Sequence, residues 1–177
     1  IKSWDKSALK EKTAVVAQKV QLFSGTVRSN LLFGKSDATD EQMYAALERA
    51  QALEFVKSKN GVLDAKVEQG GRNFSGGQRQ RLSIARAVIN PEILILDDSS
   101  SALDYATDAA LRREIKKLSE DMTVFIVSQR TSSIAHADKI LVLDDGCLSG
   151  VGTHDELLKN CAVYREIHES TSKKERG

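Results

Sequence analysis

Residues 93–98 read Ile-Leu-Ile-Leu-Asp-Asp, four consecutive aliphatic side chains followed by two carboxylates. Two more apolar tetrads follow, at residues 124–127 (Val-Phe-Ile-Val) and 140–143 (Ile-Leu-Val-Leu). Continuous aliphatic runs of this length are typical of strands buried on both faces of a parallel sheet. Because helical patterns separate the tetrads, the sequence predicts an α/β fold with a parallel sheet core.

The chain before residue 91 predicts a small helical lobe. Thr39 and Gln42 have the spacing of a capping box, and apolar residues recur after them at helical intervals. A β-branched run ends at Gln18, which we expect in a loop after a strand, and Ser75 is expected to cap another helix. The predicted parts of the 1–177 chain are a helical lobe over residues 28–90, a sheet core over 91–160, and a C-terminal helix and tail over 161–177.

Composition excludes several classes of protein. With 177 residues, 41% hydrophobic and 29% charged, the chain fits a globular domain rather than a disordered one. The net charge of +1 indicates no polyanionic partner, so nucleic acid is not expected. Cys147, Cys161 and the three histidines lack metal-ligand spacing, and we therefore expect ordinary thiols and no zinc site.

Residues 74–81 read Phe-Ser-Gly-Gly-Gln-Arg-Gln-Arg at the start of a predicted helix. Gly76 and Gly77 would leave open backbone N–H groups at a helix N-terminus, an arrangement that suits a phosphate. Taken alone, however, Ser-Gly-Gly is better explained as a flexible loop before an amphipathic helix.

Carboxylates follow the first tetrad directly, at Asp97 and Asp98. The carboxyl edge of an α/β sheet is where ligands bind, and Mg²⁺ prefers such hard oxygen ligands. The alternative is a polar strand end followed by a capped helix. For Asp104 taken alone, a helix cap is the better explanation.

In this order and spacing, the segments resemble the nucleotide-binding domain of an exporter-type ATP-binding cassette (ABC) transporter. The resemblance covers essentially the whole chain, and it departs from the usual signature motif only in having Phe74 where the family has Leu. The matched motifs are the Q-loop at Gln18, the exporter segment after it at residues 21–27, the short exporter loop at residues 68–71, the signature at residues 74–78, the Walker B strand at residues 93–97 and the D-loop at residues 101–104.

The resemblance implies a P-loop NTPase-like fold, ATP and Mg²⁺ as cofactors, and a head-to-tail dimer of nucleotide-binding domains. It implies that Gln18 and Asp97 help to hold Mg²⁺. It also implies that the signature of one domain contacts the γ-phosphate of ATP held by the other. The nucleotide-binding positions carried over are Gln18, Ser75, Gly76, Gly77, Gln78 and Asp104.

The resemblance also implies a second partner, the transmembrane domain of the same transporter. In exporters the segment around Phe23 and the helical lobe receive that domain at the cytoplasmic face of the membrane. The alternative is that Leu22 and Phe23 are simply core residues under a loop. Nothing in the sequence identifies a transported substrate.

Three departures from the family pattern limit what this chain is expected to do alone. No Gly-x-x-x-x-Gly-Lys-Ser/Thr phosphate loop occurs in the sequence; we expect it, with its helix and the N-terminal strands, upstream of Ile1, and we expect the chain alone to be inactive. Asp98 stands where the family has a catalytic glutamate. Gln129 stands where it has the switch histidine, and an amide cannot carry an imidazole's charge.

The preferred hypothesis is the degenerate subunit of a heterodimeric exporter. Its signature would complete the catalytic site of a partner that has the glutamate and the histidine, while Asp98 and Gln129 make its own site slow. One alternative is a homodimeric exporter ATPase with two slow, equivalent sites. Another is a cassette protein without a transport function, in which nucleotide binding is regulatory.

Overall fold

The computed structural model describes residues 4–89, 91–99 and 102–174, with side chains up to residue 171. Ser101, the first residue of the predicted D-loop, lies outside the described residues. The chain divides into two compact units, Ile1–Phe125 and Ile126–Gly177. Among the helices that the structure describes, none has the length and apolar character that a bilayer span requires.

The described residues of the first unit form six α-helices, four strands and the start of a fifth strand, and the division between units falls inside that fifth strand. Its elements are α1 (Lys6–Lys12), β1 (Thr13–Val16), β2 (Gly25–Thr26), α2 (Val27–Leu32), α3 (Asp40–Arg49), α4 (Leu53–Lys57), β3 (Lys66–Val67), α5 (Gly76–Ala87), β4 (Ile93–Asp97), α6 (Tyr105–Leu118) and β5 (Thr123–Val127).

A sheet with the order β1-β4-β5 organises this unit. Strands β1 and β4 pair in parallel, with Val16 opposite Leu96. Both of these side chains are buried, in one core that also includes Ile84 of α5 and Leu111 of α6. The predicted α/β fold with a parallel sheet is therefore confirmed.

Several helices of this unit begin at local side-chain caps. Thr26, Thr39 and Ser75 each cap a helix in a reciprocal capping box, which satisfies backbone N–H groups that the helix itself leaves open. Met43 and Leu47, one turn apart on α3, are buried in the same core. The caps predicted at Thr39 and Ser75 are confirmed.

The second unit contains α7 (Thr131–Ile134), β6 (Ile140–Asp144), β7 (Cys147–Gly152), α8 (His154–Asn160) and α9 (Ala162–Lys174). Its core contains Ile140, Val142, Leu157, Cys161 and Tyr164. The side chain of Thr153 accepts a hydrogen bond from the N–H of Glu156 and caps α8.

For the tetrad at residues 140–143 the expectation of a parallel, doubly buried strand is wrong. β6 pairs antiparallel with β7, and Asp144 lies opposite Cys147. The two residues between them, Asp145 and Gly146, have positive φ angles of 44° and 76°. An Asp-Gly pair in this conformation forms a tight hairpin turn, which reverses the chain at once and leaves no room for a parallel crossover.

Burial on both faces holds best for the central strand β4, where Leu94 and Leu96 are buried and Ile93 and Ile95 are half-buried. β5 is the last strand on its side of the described sheet, and Phe125 is 52% exposed. The aliphatic run alone does not distinguish a central strand from an edge strand.

Candidate functional site

Gln18 and Asp98 meet at the carboxyl edge of the sheet. Each follows the end of a strand, and β1 and β4 are parallel neighbours whose register places the two residues opposite each other. The side-chain Nε2 of Gln18 donates a hydrogen bond to Oδ2 of Asp98 over 3.1 Å. The structure therefore brings together the predicted Q-loop residue and the predicted catalytic carboxylate.

The backbone at Asp98 aids this contact. Its φ of 44° lies in the left-handed region, where aspartate is among the few residues other than glycine found with any frequency. The chain thus turns sharply after β4. Asp97, the last residue of that strand, is exposed at the same edge.

The oxygen donors at this edge fit Mg²⁺ when a nucleotide supplies the remaining ligands. Gln18, Asp97 and Asp98 offer carboxamide and carboxylate oxygens, and Mg²⁺ typically takes one or two carboxylates together with phosphate oxygens and water. Within the described residues no group of three or more His, Cys, Asp or Glu side chains could hold a metal alone. The donor set fits a metal ion that is also bound by the phosphate oxygens of a nucleotide.

The start of α5 presents hydrogen-bond donors. Ser75 Oγ accepts from the N–H of Gln78 over 3.3 Å, and Gln78 Oε1 accepts from the N–H of Ser75 over 3.1 Å. The box uses the acceptor atoms of both side chains and leaves the Ser75 hydroxyl and Gln78 Nε2 able to donate. In the described part of the chain, the N–H groups of Gly76 and Gly77 have no acceptor. Donors at a helix N-terminus match an anion such as phosphate.

Two further residues of this helix, neither of which was predicted as functional, hold it against neighbouring segments. Gln80 is buried, and its Oε1 accepts from the N–H of Ala102 over 3.3 Å. Arg81 donates to the carbonyl oxygen of Gln51 over 2.7 Å and lies over the ring of Phe55, 4.8 Å from its centroid. A polar residue on the buried face of an amphipathic helix is the signal that points to Gln80.

Asp104 is the N-cap of α6, as the cap explanation predicts. Its two carboxylate oxygens accept from the backbone N–H and the hydroxyl of Thr107, over 3.0 and 2.8 Å. These hydrogen bonds favour the charged form and hold the pKa of Asp104 below its ordinary value. Burial lowers the pKa of Arg81, while the charge of Asp104 opposes that effect.

Gln129 belongs to the second unit, where it is exposed in a turn between β5 and α7. Ser128 Oγ accepts from the N–H of Arg130 over 3.0 Å, which closes the turn around it. Thr131, the first residue of α7, is buried and within 2.8 Å of Nδ1 of His168.

An open cleft of about 280 Å³ lies beside the segment after Gln18, lined by Gln21, Leu22, Phe23, Gln69 and Gly70. Leu22 is buried, as a core residue would be, but Phe23 is 45% exposed and stacks near Phe33 with 4.5 Å between ring centroids. The aromatic pair therefore forms an exposed apolar rim next to the two exporter segments.

Comparison with known proteins assigns the family. Residues 1–101 match the model of the ABC transporter domain. The chain is 46% identical over 162 residues to an uncharacterized ABC transporter ATP-binding protein of Mycobacterium tuberculosis H37Rv, covering 89% of this chain and 28% of that protein.

Similar proteins include exporters by name. A putative multidrug export ATP-binding/permease protein of Bacillus subtilis is 40% identical over 94% of this chain and 29% of its own length. An ATP-dependent lipid A-core flippase of Photobacterium profundum is 39% identical over 95% of this chain and 29% of its own length. The chain thus spans less than a third of the length of these relatives.

The fold agrees with this assignment. A bacterial Atm1-family ABC exporter solved with ATP bound superimposes with a TM-score of 0.86 and 32% identity, over 91% of this chain and 28% of that one. The ordered motifs, the parallel sheet and the family match lead to one conclusion: this chain belongs to the ABC transporter family.

Proposed function

We propose that this chain is part of the ATP-hydrolysing machinery of a membrane exporter, and that its signature segment, residues 75–78, completes an ATP site on a second nucleotide-binding domain. In this proposal the two domains pack head to tail at the cytoplasmic face of the membrane. The partner domain supplies the phosphate loop, the glutamate and the histidine of the productive site.

The observation that carries the proposal is the donor-only surface at the start of α5. Ser75 and Gly76 are exposed, and the capping box uses side-chain acceptors while leaving four donor groups: a hydroxyl, two backbone N–H groups and an amide. Donors aimed at a transferring phosphoryl group stabilise its charge without reorganisation. The segment is therefore suited to close over a γ-phosphate.

The chain's own site is proposed to be the slower one. Mg²⁺, when bound there with ATP, would neutralise phosphate charge, and Gln18 and Asp97 would hold it. Asp98 would orient and deprotonate the attacking water, but its side chain is one methylene shorter than glutamate. A misplacement of about 1 Å can cost on the order of a hundredfold in rate.

Coupling to a membrane domain is the second part of the proposal. Phe23 lines the cleft beside the exporter segments, and its ring contacts the ring of Phe33. An apolar rim around a concave surface is the kind of feature that receives a protruding element of another domain. The names of two relatives, a multidrug export ATP-binding/permease protein and a lipid A-core flippase, support this part of the proposal.

The test uses the full-length protein assembled with its partner. Gly77→Asp places a carboxylate at the helix N-terminus where a γ-phosphate must approach, and we expect it to abolish nearly all ATP turnover. Gly77→Ala is the matched control, because it adds the same Cβ, 3.1 Å from the carbonyl oxygen of Ala102, without the charge, and we expect it to retain more turnover. Normal turnover of Gly77→Asp would contradict the proposal.

A further inference from the structure

Gln80 joins the signature helix to the segment that follows the Walker B strand. The residue is only 2% exposed, and its Oε1 accepts the backbone N–H of Ala102 over 3.3 Å. Burying a carboxamide costs free energy unless hydrogen bonds replace those to water. An apolar residue would fill this helix position at lower cost, so the contact with Ala102 needs a reason beyond packing.

The helix and this segment also approach each other through backbone atoms. A Cβ added to Gly77 would lie 3.1 Å from the carbonyl oxygen of Ala102 and 3.7 Å from Cδ2 of Leu103. A Cβ on Gly76 would lie 3.9 Å from Cβ of Ala102. The first turn of α5 is therefore packed directly on residues 102–103, and both belong to the first unit.

We propose that Gln80 is a positioning residue that makes the signature turn and residues 102–104 one rigid element. Both ends of that element then approach a partner-bound nucleotide together. The inference rests on the proposed function, because it explains how the signature keeps its orientation when two domains close. Gln80 contacts no nucleotide in this proposal; it acts through Gly77 and Ala102.

The two ends of the Gln80 carboxamide differ. Oε1 accepts from Ala102, whereas Nε2 is buried and has no hydrogen-bond partner among the described residues. The acceptor is therefore the part that does the positioning. A Glu side chain at this position has an acceptor oxygen at the same distance from the backbone. A Met side chain has a similar length but no such oxygen.

The experiment compares Gln80→Met and Gln80→Glu in the full-length protein with its partner. Ser83→Ala is the matched control, because Ser83 is also buried on α5 at 3% exposure and its hydroxyl contacts Arg86 rather than Ala102. Three quantities are measured: amide hydrogen exchange of the peptide containing Ala102, the melting temperature, and kcat and KM for ATP per folded molecule.

We expect Gln80→Met to speed exchange at Ala102 and to lower kcat about tenfold with KM nearly unchanged, since the partner's own residues hold the ground-state nucleotide. Gln80→Glu keeps an acceptor for Ala102, so per folded molecule it should regain most of the lost kcat, while its buried carboxylate lowers the melting temperature. Ser83→Ala should leave kcat unchanged. A role limited to packing would lower the melting temperature alone.

Two results would overturn the inference. One is unchanged exchange at Ala102 in Gln80→Met. The other is normal kcat in Gln80→Met while Gly77→Asp abolishes turnover, in which case the proposed function stands without the positioning role. If both Gln80→Met and Gly77→Asp are silent, the proposed function fails and the positioning role fails with it.

Discussion

Gln18 and Asp98 follow the ends of two neighbouring parallel strands, and the amide of Gln18 donates to the carboxylate of Asp98 over 3.1 Å. The acceptor, the Asp98 carboxylate, is also the group proposed to activate the attacking water. The hydrogen bond therefore couples the position of Gln18 to the orientation of the Asp98 side chain. The contact is exposed to solvent.

Gln18→Glu tests this contact by placing two carboxylates against each other. We expect a loss of about 0.5–1 kcal/mol in the free energy of unfolding at low salt, because like charges at this distance repel. Salt at 1 M screens exposed charges, so the loss should shrink there. Gln18→Leu removes only the hydrogen bond and should show no comparable salt dependence; equal salt responses in the two variants would contradict the contact.

Ser75→Ala and Thr39→Ala form a matched pair of cap removals. Each side chain closes a reciprocal capping box, on α5 and α3, and each loss should cost about 1 kcal/mol of stability. Only Ser75 belongs to the proposed phosphate-facing surface. Chemical denaturation should therefore give similar losses, whereas ATP turnover of the assembled protein should fall for Ser75→Ala alone.

Helix starts could be predicted from the sequence because a cap is a local device. Thr39 and Ser75 each have a partner side chain three residues later, and both capping boxes form. The strand that precedes Gln18 could also be predicted, because its β-branched run is a local signal in the sequence. The contact of Gln18 with Asp98 could not, since the register of β1 and β4 depends on packing between segments far apart in sequence.

At the hairpin of residues 140–152 the aliphatic pattern gave the wrong prediction, because the turn residues decide how the strand pairs. The aliphatic tetrad at its start resembles a buried parallel strand, but Asp145-Gly146 dictates an immediate reversal. The contact between Gln80 and Ala102 was missed for a different reason. The burial of Gln80 is visible in the helical pattern, but its partner is the backbone of Ala102, which no pattern of side chains reveals.

We expect Asp40→Asn to change the pH dependence of stability. Arg28 donates to Asp40 and, over 2.9 Å, to Asp64, and its hydrogen bond to Asp40, aided by its charge, holds the pKa of Asp40 below the ordinary value. A lowered pKa stabilises the fold above the unfolded carboxyl pKa of about 3.9, and that stabilisation is lost as the pH falls through the folded value. Asp40→Asn should therefore lower the unfolding midpoint at pH 7 and converge with the unmodified chain at strongly acid pH.

The outer face of the β6–β7 hairpin predicts self-association of the chain. Leu141, Leu143, Leu148 and Val151 are between 48% and 67% exposed, a contiguous set of aliphatic side chains on one hairpin. Such patches associate when they are uncovered. Leu143→Lys should shift light scattering toward the monomer, whereas Lys159→Glu on the exposed side of α8 should leave it unchanged.

Asp98→Asn separates a degenerate site from a pair of slow, equivalent sites. If the chain's own site contributes little, removing its carboxylate should lower total ATP turnover of the assembled exporter only modestly, whereas the same change at the partner's glutamate should be severe. In a homodimer Asp98 would be the sole base in both sites, and Asp98→Asn would eliminate turnover.

The converse change is Asp98→Glu together with Gln129→His, which restores the longer base and an imidazole that can carry charge. A degenerate site with sound geometry should then gain hydrolysis by about tenfold or more, measured with the partner's own site inactivated so that only this one reports. No gain in that background would contradict the degenerate-site proposal even if the effect of Asp98→Asn were small.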